Sequence, residues 1–292
     1  MPELPEVETT ISGLKIKVLN RTFIDVWSDW KKIVKKPKNF KQFEKQIKNK
    51  KIKKIWRRAK NIIFDLSNGY SLLIHQKMTG HLLVGNWKLL NGKWEATKEG
   101  PLKDPYNRFL HLIFFFDNGK MMALSDARKF AKVELQKTDE LLNSKEFKNL
   151  GPEPLEKSFA FDKFKEILAN KKGKVKQVLM NPEIIAGIGN IYSSEILWQT
   201  KIHPEKNVAK LDEKELKLLY DAIKKVLSLG IKLGGESFSD YRKPDGTKGN
   251  FDTERKAYRR EGQKCSRCGT KIKRIKLGGR SAFFCPNCQK IN

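Results

Sequence analysis

The 292-residue chain is poor in three things, and each shortage excludes something. Acidic residues are few: 33 Asp and Glu stand against 61 Lys and Arg, a formal net charge of +28. Such an imbalance repels itself unless a polyanion or an anionic membrane is the partner. Long apolar runs are missing as well. The longest is FLHLIFFF (Phe109–Phe116), far short of the roughly 20 residues of a spanning helix, so nucleic acid is the favoured partner. There is no secretory signal, because the start, MPELPEVETT, is acidic rather than basic and then apolar. Cysteine is confined to four residues between Cys265 and Cys288. With no signal and no scattered cysteines, a reducing compartment is expected, and metal binding rather than disulfides.

What is present divides the chain in two. At this length two domains are the first expectation. VETTISGLKI places Val7, Ile11 and Leu14 at helical spacing. Short runs rich in Ile, Val and Phe follow, among them NIIFDL, YSLLIH, FLHLIFFF and KMMALS, bounded by Gly, Asn and Asp. These read as strands, with DNGK (Asp117–Lys120) as a hairpin turn. Asn86–Asn107 lacks clear periodicity and is expected to be a long surface loop. Around Gly151, Pro152 and Pro154 the texture changes, and beyond it the periodicity is helical, with a capping box at Asp212 and Glu215 and a stop at Gly234-Gly235. The divisions expected are a β-rich domain over 1–137, a linker over 138–155, a helical domain over 156–255 and a cysteine-bearing finger over 256–292.

The cysteines are spaced C-x2-C, sixteen residues, C-x2-C, as Cys265, Cys268, Cys285 and Cys288. Two such pairs complete a closed tetrahedral site for one structural Zn2+. The segment between them turns at Gly278-Gly279 and carries Arg280, which a hairpin can place against phosphate. AGIGNIYSSE sets Gly187, Gly189 and Asn190 before a helix. A helix N-terminus of this kind binds anions, and an ordinary corner with Asn190 as the N-cap fits equally well.

At the opening, Pro5 suits a first helical turn, and Glu6 and Glu8 complement the helix dipole. Pro2 and Glu3 lie ahead of that helix. Removal of Met1 leaves Pro2 as a free secondary amine. Terminal amines titrate near 8, far below lysine, so Pro2 can act as a nucleophile on a sugar carbon with Glu3 as an acid.

MPELPEVET, RRAK, HQKMTG, DARKF, LGPEPL, GIGNIY and GRSAFFCPNCQ occur in this order from Met1 to the last cysteine pair. In combination they resemble the bacterial formamidopyrimidine-DNA glycosylases. The resemblance implies an α+β fold: an N-terminal two-layer β-sandwich with flanking helices, then a helix-two-turn-helix domain with a β-hairpin zinc finger. It implies a base-excision repair enzyme, a bifunctional glycosylase and abasic-site lyase for oxidised purines. It also implies a monomer in the bacterial cytoplasm, at the nucleoid, with damaged double-stranded DNA as partner and no membrane. By the same resemblance Pro2 is the nucleophile, Glu3 the proton donor and Glu6 a supporting acid. Lys60 belongs to β-elimination and Arg280 to δ-elimination. His75, Lys172, Lys176 and Asn190 contact DNA, and Met78, Arg128 and Phe130 fill the gap left by a flipped base. Glu236–Tyr241 caps that base. Glu8 is expected to do no more than complement the dipole.

The sequence departs from the family pattern in places. Ala59 precedes Lys60 and Ala131 follows Phe130 where the family often has Gly, and Phe109 replaces a DNA-contacting His. Two other readings compete: an endonuclease VIII-like enzyme for oxidised pyrimidines, and a zinc ribbon that binds nucleic acid without catalysis.

Overall fold

Residues 1–237 and 240–291 are described by a computed structural model. Two compact units emerge, Met1–Lys148 with Leu233–Asn250, and Asn149–Lys232 with Phe251–Asn292.

The first unit begins with helix α1 (Leu4–Val18). Then come β1 (Phe23–Trp27), β2 (Val34–Lys36), α2 (Phe40–Ile47), β3 (Ile52–Arg58), β4 (Asn61–Leu66), β5 (Tyr70–His75) and β6 (His81–Gly85). A small hairpin of β7 (Trp87–Leu90) and β8 (Lys93–Ala96) leads to β9 (Leu110–Phe116), β10 (Met121–Ser125), β11 (Lys132–Lys137), α3 (Thr138–Asn143) and α4 (Lys145–Lys148). The strands form a four-stranded sheet, β1-β9-β10-β6, and a five-stranded sheet, β2-β11-β5-β4-β3. Alternation along the strands separates the faces. Ile62, Phe64, Leu72 and Ile74 of one sheet join Leu82, Leu112, Phe114 and Leu124 of the other in one core, to which α1 adds Val7, Ile11 and Leu14. The residues between them face outward: Ile63 and Leu73 are covered by Leu141 and Phe147 of α3 and α4. The expected linker over 138–155 thus begins with two short helices that cover a sheet face.

Two further expectations are corrected. Asn86–Asn107 is not an unstructured loop. Its turn, Asn91-Gly92, has both residues at positive φ (49° and 76°), the geometry of a type I′ hairpin, and Trp87, Trp94 and Leu102 cover Leu83, Ile113 and Ala123 on the outer face of the four-stranded sheet. The helical domain does not run unbroken from 156 to 255, because Leu233–Asn250 returns to the first unit. There the Val84 amide donates to Pro244 O at 2.7 Å, and Arg242, 1% exposed, holds both carboxylate oxygens of Asp104 at 3.1 Å.

The second unit holds α5 (Phe161–Ala169), α6 (Val175–Met180), α7 (Asn190–Thr200) and α8 (Glu213–Lys232), then the hairpin of β12 (Lys273–Leu277) and β13 (Arg280–Phe284). The box at the start of α8 forms as expected: the Glu215 amide donates to Asp212 Oδ1 at 2.7 Å, and the Asp212 amide to Glu215 Oε2 at 3.2 Å. Among the described residues no helix is long and apolar enough to cross a membrane.

Candidate active site and nucleic-acid interface

The acids of the opening are buried, Glu3 at 2% and Glu6 at 1% exposure. Glu6 is a brace. Its Oε2 accepts from the Glu3 amide and its Oε1 from the Glu236 amide, both at 2.7 Å, while its carbonyl accepts from Thr10 Oγ1 at 2.8 Å and Tyr241 Oη at 3.0 Å. Burial pushes the Tyr241 phenol up, so it stays a donor. Gly235 must be glycine here: its φ is +82°, and a Cβ would lie 2.8 Å from Glu6 Cγ. The N-terminal amine sits beside these acids. Burial holds it below its ordinary value of 8.0; Glu3, Glu6 and Asp240 oppose that shift and Lys60 adds to it. Pro2 is buried one residue further in. The chain start thus gathers an amine kept neutral more readily than usual, two buried carboxylates and a lysine from elsewhere in the fold. Of the segment Glu236–Tyr241, Phe238 and Ser239 lie outside the described residues.

Lys60 is set on the tight turn between β3 and β4. Ala59 before it has φ +53° and is 4% exposed, which accounts for glycine at this place in the family. A left-handed alanine costs about 1 kcal/mol. Ala59→Gly is therefore expected to raise stability by about 0.5–1 kcal/mol once the looser unfolded chain is counted, a Tm gain of roughly 1–4 °C, read by thermal melting.

His75 ends β5. Its Nδ1 accepts from the Lys77 amide at 2.9 Å, so the proton resides on Nε2 and can be donated outward. Burial, joined by Lys77, Lys60 and Lys132, lowers its pKa from 6.5 to about 3. The ring is neutral at physiological pH. Because the folded value lies below the unfolded one, its contribution is present above about pH 6.5 and is lost as pH falls toward 3. His75→Gln should flatten that acid limb in a plot of Tm against pH.

Met78, Arg128 and Phe130, expected as wedge residues, are presented by two loops. Phe130 is 51% exposed, the guanidinium of Arg128 lies 4.6 Å from its ring centroid, and Met78 is half-buried. None of these is spent on the core. Asp126, fully buried, ties the loops together: it accepts from the Ala131 amide at 2.7 Å, from the Arg128 amide at 3.3 Å and from Thr79 Oγ1. Thr79 Oγ1 in turn accepts from the Arg128 amide at 3.1 Å. Ala131 is not among the residues at positive φ, so alanine fits there without strain.

In the second unit Asn190 is the first residue of α7, not its cap, which is Gly189. Asn190 Oδ1 is buried without a hydrogen-bond partner among the described residues, and the side chain lines an open cavity of about 440 Å3 with Tyr258, Arg259, Glu261, Arg274, Ser281 and Phe283. Lys172 is exposed. Lys176 is 1% exposed, and its ammonium donates to Ser193 Oγ and Ser194 Oγ at 2.8 Å and to Asn190 O at 3.2 Å. A lysine so enclosed braces the first turn of α7. Glu195 does similar work at the other side of that helix, accepting from the Lys256, Ala257 and Tyr258 amides at 2.7, 3.0 and 2.7 Å. Burial raises its pKa, and those amides oppose the rise.

Arg280 opens β13 and is exposed. The turn before it favours glycine at Gly278, whose φ is +55°. The four cysteine sulfurs all lie within 4.8 Å of one another. A Zn–S bond of about 2.3 Å sets sulfurs about 3.8 Å apart in a tetrahedron, so the cluster fits one zinc. Trp198 Nε1 also donates to Cys265 Sγ at 3.4 Å, a contact that suits a thiolate.

Three family profiles match the chain: "Formamidopyrimidine-DNA glycosylase N-terminal domain" over residues 1–133, "Formamidopyrimidine-DNA glycosylase H2TH domain" over 150–242, and "Zinc finger found in FPG and IleRS" over 262–291. The formamidopyrimidine-DNA glycosylase of Ligilactobacillus salivarius is 38% identical over 291 residues, covering 100% of this chain and 99% of that one. That of Pelotomaculum thermopropionicum is 37% identical and covers 100% of both. The chain belongs to the formamidopyrimidine-DNA glycosylase family. Solved relatives agree in fold. Lactococcus lactis Fpg in complex with DNA containing an abasic site superposes with a TM-score of 0.85 at 35% identity, covering 99% of this chain and 100% of that one. A mutant of that enzyme with Fapy-dG-containing DNA gives 0.86 at 36%, with the same coverage.

As a glycosylase of this family the chain has an α+β fold with an N-terminal β-sandwich, a helix-two-turn-helix region and a zinc finger that holds one structural zinc through Cys265, Cys268, Cys285 and Cys288. Several residues of the site have no signal in the motifs that mark the family. Thr79 lies within HQKMTG and Asp126 within DARKF, but nothing in those motifs marks either as a brace. Glu195 is a single acid in a helical stretch, with no pattern that marks it. A buried carboxylate that gathers backbone amides shows itself only when the strands and loops are placed.

Proposed function

We propose that the chain excises oxidised purines, 8-oxoguanine and formamidopyrimidines, from duplex DNA and then cleaves the strand. The observation that carries this reading is the chain start itself, where Pro2 is buried next to the N-terminal amine and the buried Glu3 and Glu6, with Lys60 close enough to act on that amine. Loss of Met1 transfers the amine to Pro2. Its lone pair attacks C1′ of the damaged nucleotide, the glycosidic bond breaks, and the base departs with its electron pair and takes up a proton. Glu3 supplies a proton to the ribose ring oxygen as the ring opens, leaving an iminium between Pro2 and C1′. The iminium acidifies the C2′ proton. Its removal, with Lys60 at hand, expels the 3′ phosphate, and a second elimination with Arg280 at hand expels the 5′ phosphate. Glu6 holds the helix start that carries Pro2. His75, Lys172, Asn190 and Arg280 contact phosphate, and Met78, Arg128 and Phe130 occupy the gap left by the flipped base, offsetting an unstacking cost of a few kcal/mol. The zinc supplies no reacting bond; its closed sulfur set holds the hairpin that bears Arg280. The enzyme acts as a monomer in the bacterial cytoplasm, at the nucleoid.

The relatives' names and the Fapy-dG and 8-oxo-G DNA bound to solved relatives support the purine reading over the pyrimidine one. Excision of 8-oxoguanine and of thymine glycol from matched duplexes tests it. Faster release of 8-oxoguanine with strand cleavage is expected. Preference for thymine glycol would overturn the substrate, and binding without cleavage on either duplex would leave a non-catalytic zinc ribbon.

A further inference from the structure

Glu8 lies on α1 one turn beyond the chain start and is not merely a partner for the helix dipole. Its Oε2 accepts from Arg57 Nε at 2.8 Å. The Arg57 side chain is only 9% exposed and that of Glu8 32%, so the pair is partly shielded from water and more than a surface ion pair of negligible worth. The second arm of the same guanidinium, Nη1, donates to Ala59 O at 3.2 Å. That carbonyl belongs to the peptide that leads directly into Lys60, and Ala59 is the residue held at φ +53°.

One guanidinium thus joins the helix that begins at the reactive amine to the turn that presents Lys60. The turn it reaches is a strained two-residue one, with Ala59 in the left-handed region that alanine disfavours. We propose that Glu8 and Arg57 are a positioning pair for Lys60: the Glu8 carboxylate fixes the guanidinium, and the guanidinium fixes the orientation of the 59–60 peptide relative to α1. The proposal rests on the reading of Lys60 as an elimination residue. A planar fork with several fixed donors can serve both acceptors at once, whereas a lysine ammonium on a flexible stem cannot hold the same geometry.

The test is single-turnover nicking of an abasic-site duplex at saturating enzyme, with duplex affinity and Tm measured alongside. Arg57→Lys keeps the charge and should slow nicking by about tenfold or more, the scale of a small misplacement of a reacting group, with Kd for the duplex within about twofold of wild type. Glu8→Gln keeps the volume and an acceptor and should fall between the two. If Arg57→Lys does not fold, Glu8→Gln carries the test alone. Wild-type nicking rates in both variants would overturn the proposal, and so would a loss that tracks Kd or Tm, because a purely structural pair would act there. Failure of the wild-type protein itself to nick abasic DNA would instead overturn the reading of Lys60 and leave the pair without a reaction to serve.

Discussion

Glu3→Gln is expected to reduce release of 8-oxoguanine by about 10²–10⁴-fold, the usual worth of a positioned general acid, while nicking of a pre-formed abasic site stays within about tenfold of wild type. The asymmetry follows from the chemistry. Base release requires the ribose ring to open as the glycosidic bond breaks, and the ring oxygen needs a proton at that moment. An abasic sugar already spends part of its time as an open aldehyde, which condenses with an amine without that proton. Glutamine has nearly the same volume and can keep its place beside the Glu6 brace, where the Glu3 amide is held at 2.7 Å. A loss of both activities in equal measure would mean that Glu3 holds the helix start in place and gives no proton. Parallel time courses of base release and strand cleavage on lesion and abasic duplexes separate the two.

Removal of the zinc should have an effect of similar size on DNA binding. The apolar core under the finger is small: Trp198, Ala257, Ile272 and Phe283 close around the sulfurs of Cys265 and Cys285. A module of this size has too little apolar surface to fold unaided, so the metal's binding energy is folding energy. Chelation, or Cys265→Ser, is expected to melt the β12–β13 hairpin and release Arg280 from its turn. Duplex affinity should fall by about a hundredfold or more, and the dependence of log K on log salt should become shallower as phosphate contacts are lost. The β-sandwich has a separate core between its two sheets, so its melting transition should persist. Two-transition calorimetry of the metal-free protein, beside salt titrations of binding, checks both halves of this expectation.

Much of the fold was legible because the β-sandwich obeys simple alternation. NIIFDL and YSLLIH show two buried faces, and those faces are the inter-sheet core and the cover of α3 and α4. The zinc ligands were legible from spacing alone. Asn86–Asn107 was misread because its hairpin is short and its apolar residues, Trp87, Trp94 and Leu102, are far apart in sequence, although Asn91-Gly92 was a hairpin signal in plain view. The placement of Leu233–Asn250 could not be read from local pattern. It depends on pairings with Glu6, Val84 and Asp104 from distant parts of the chain, and no periodicity carries such contacts. The enclosure of Lys176 was hidden for a related reason. A lysine reads as surface charge until the structure puts two serine hydroxyls and a carbonyl around its ammonium. Among the motif residues, Pro2 and Glu3 were legible from the chemistry of a terminal amine beside an acid and Arg280 from its place at a hairpin turn, whereas Lys60 and His75 carried a role only through the family resemblance.

The central claim is that the nucleophile is the amine of Pro2. Borohydride reduction during reaction with an 8-oxoguanine duplex, followed by intact-mass and peptide mass spectrometry, tests it most directly. The account predicts a covalent protein–DNA adduct whose linkage maps to Pro2 in protein that has lost Met1, and no adduct from protein carrying an N-terminal extension that converts the Pro2 nitrogen to an amide. An adduct of undiminished yield on the extended protein, or one mapping to Lys60, would contradict it.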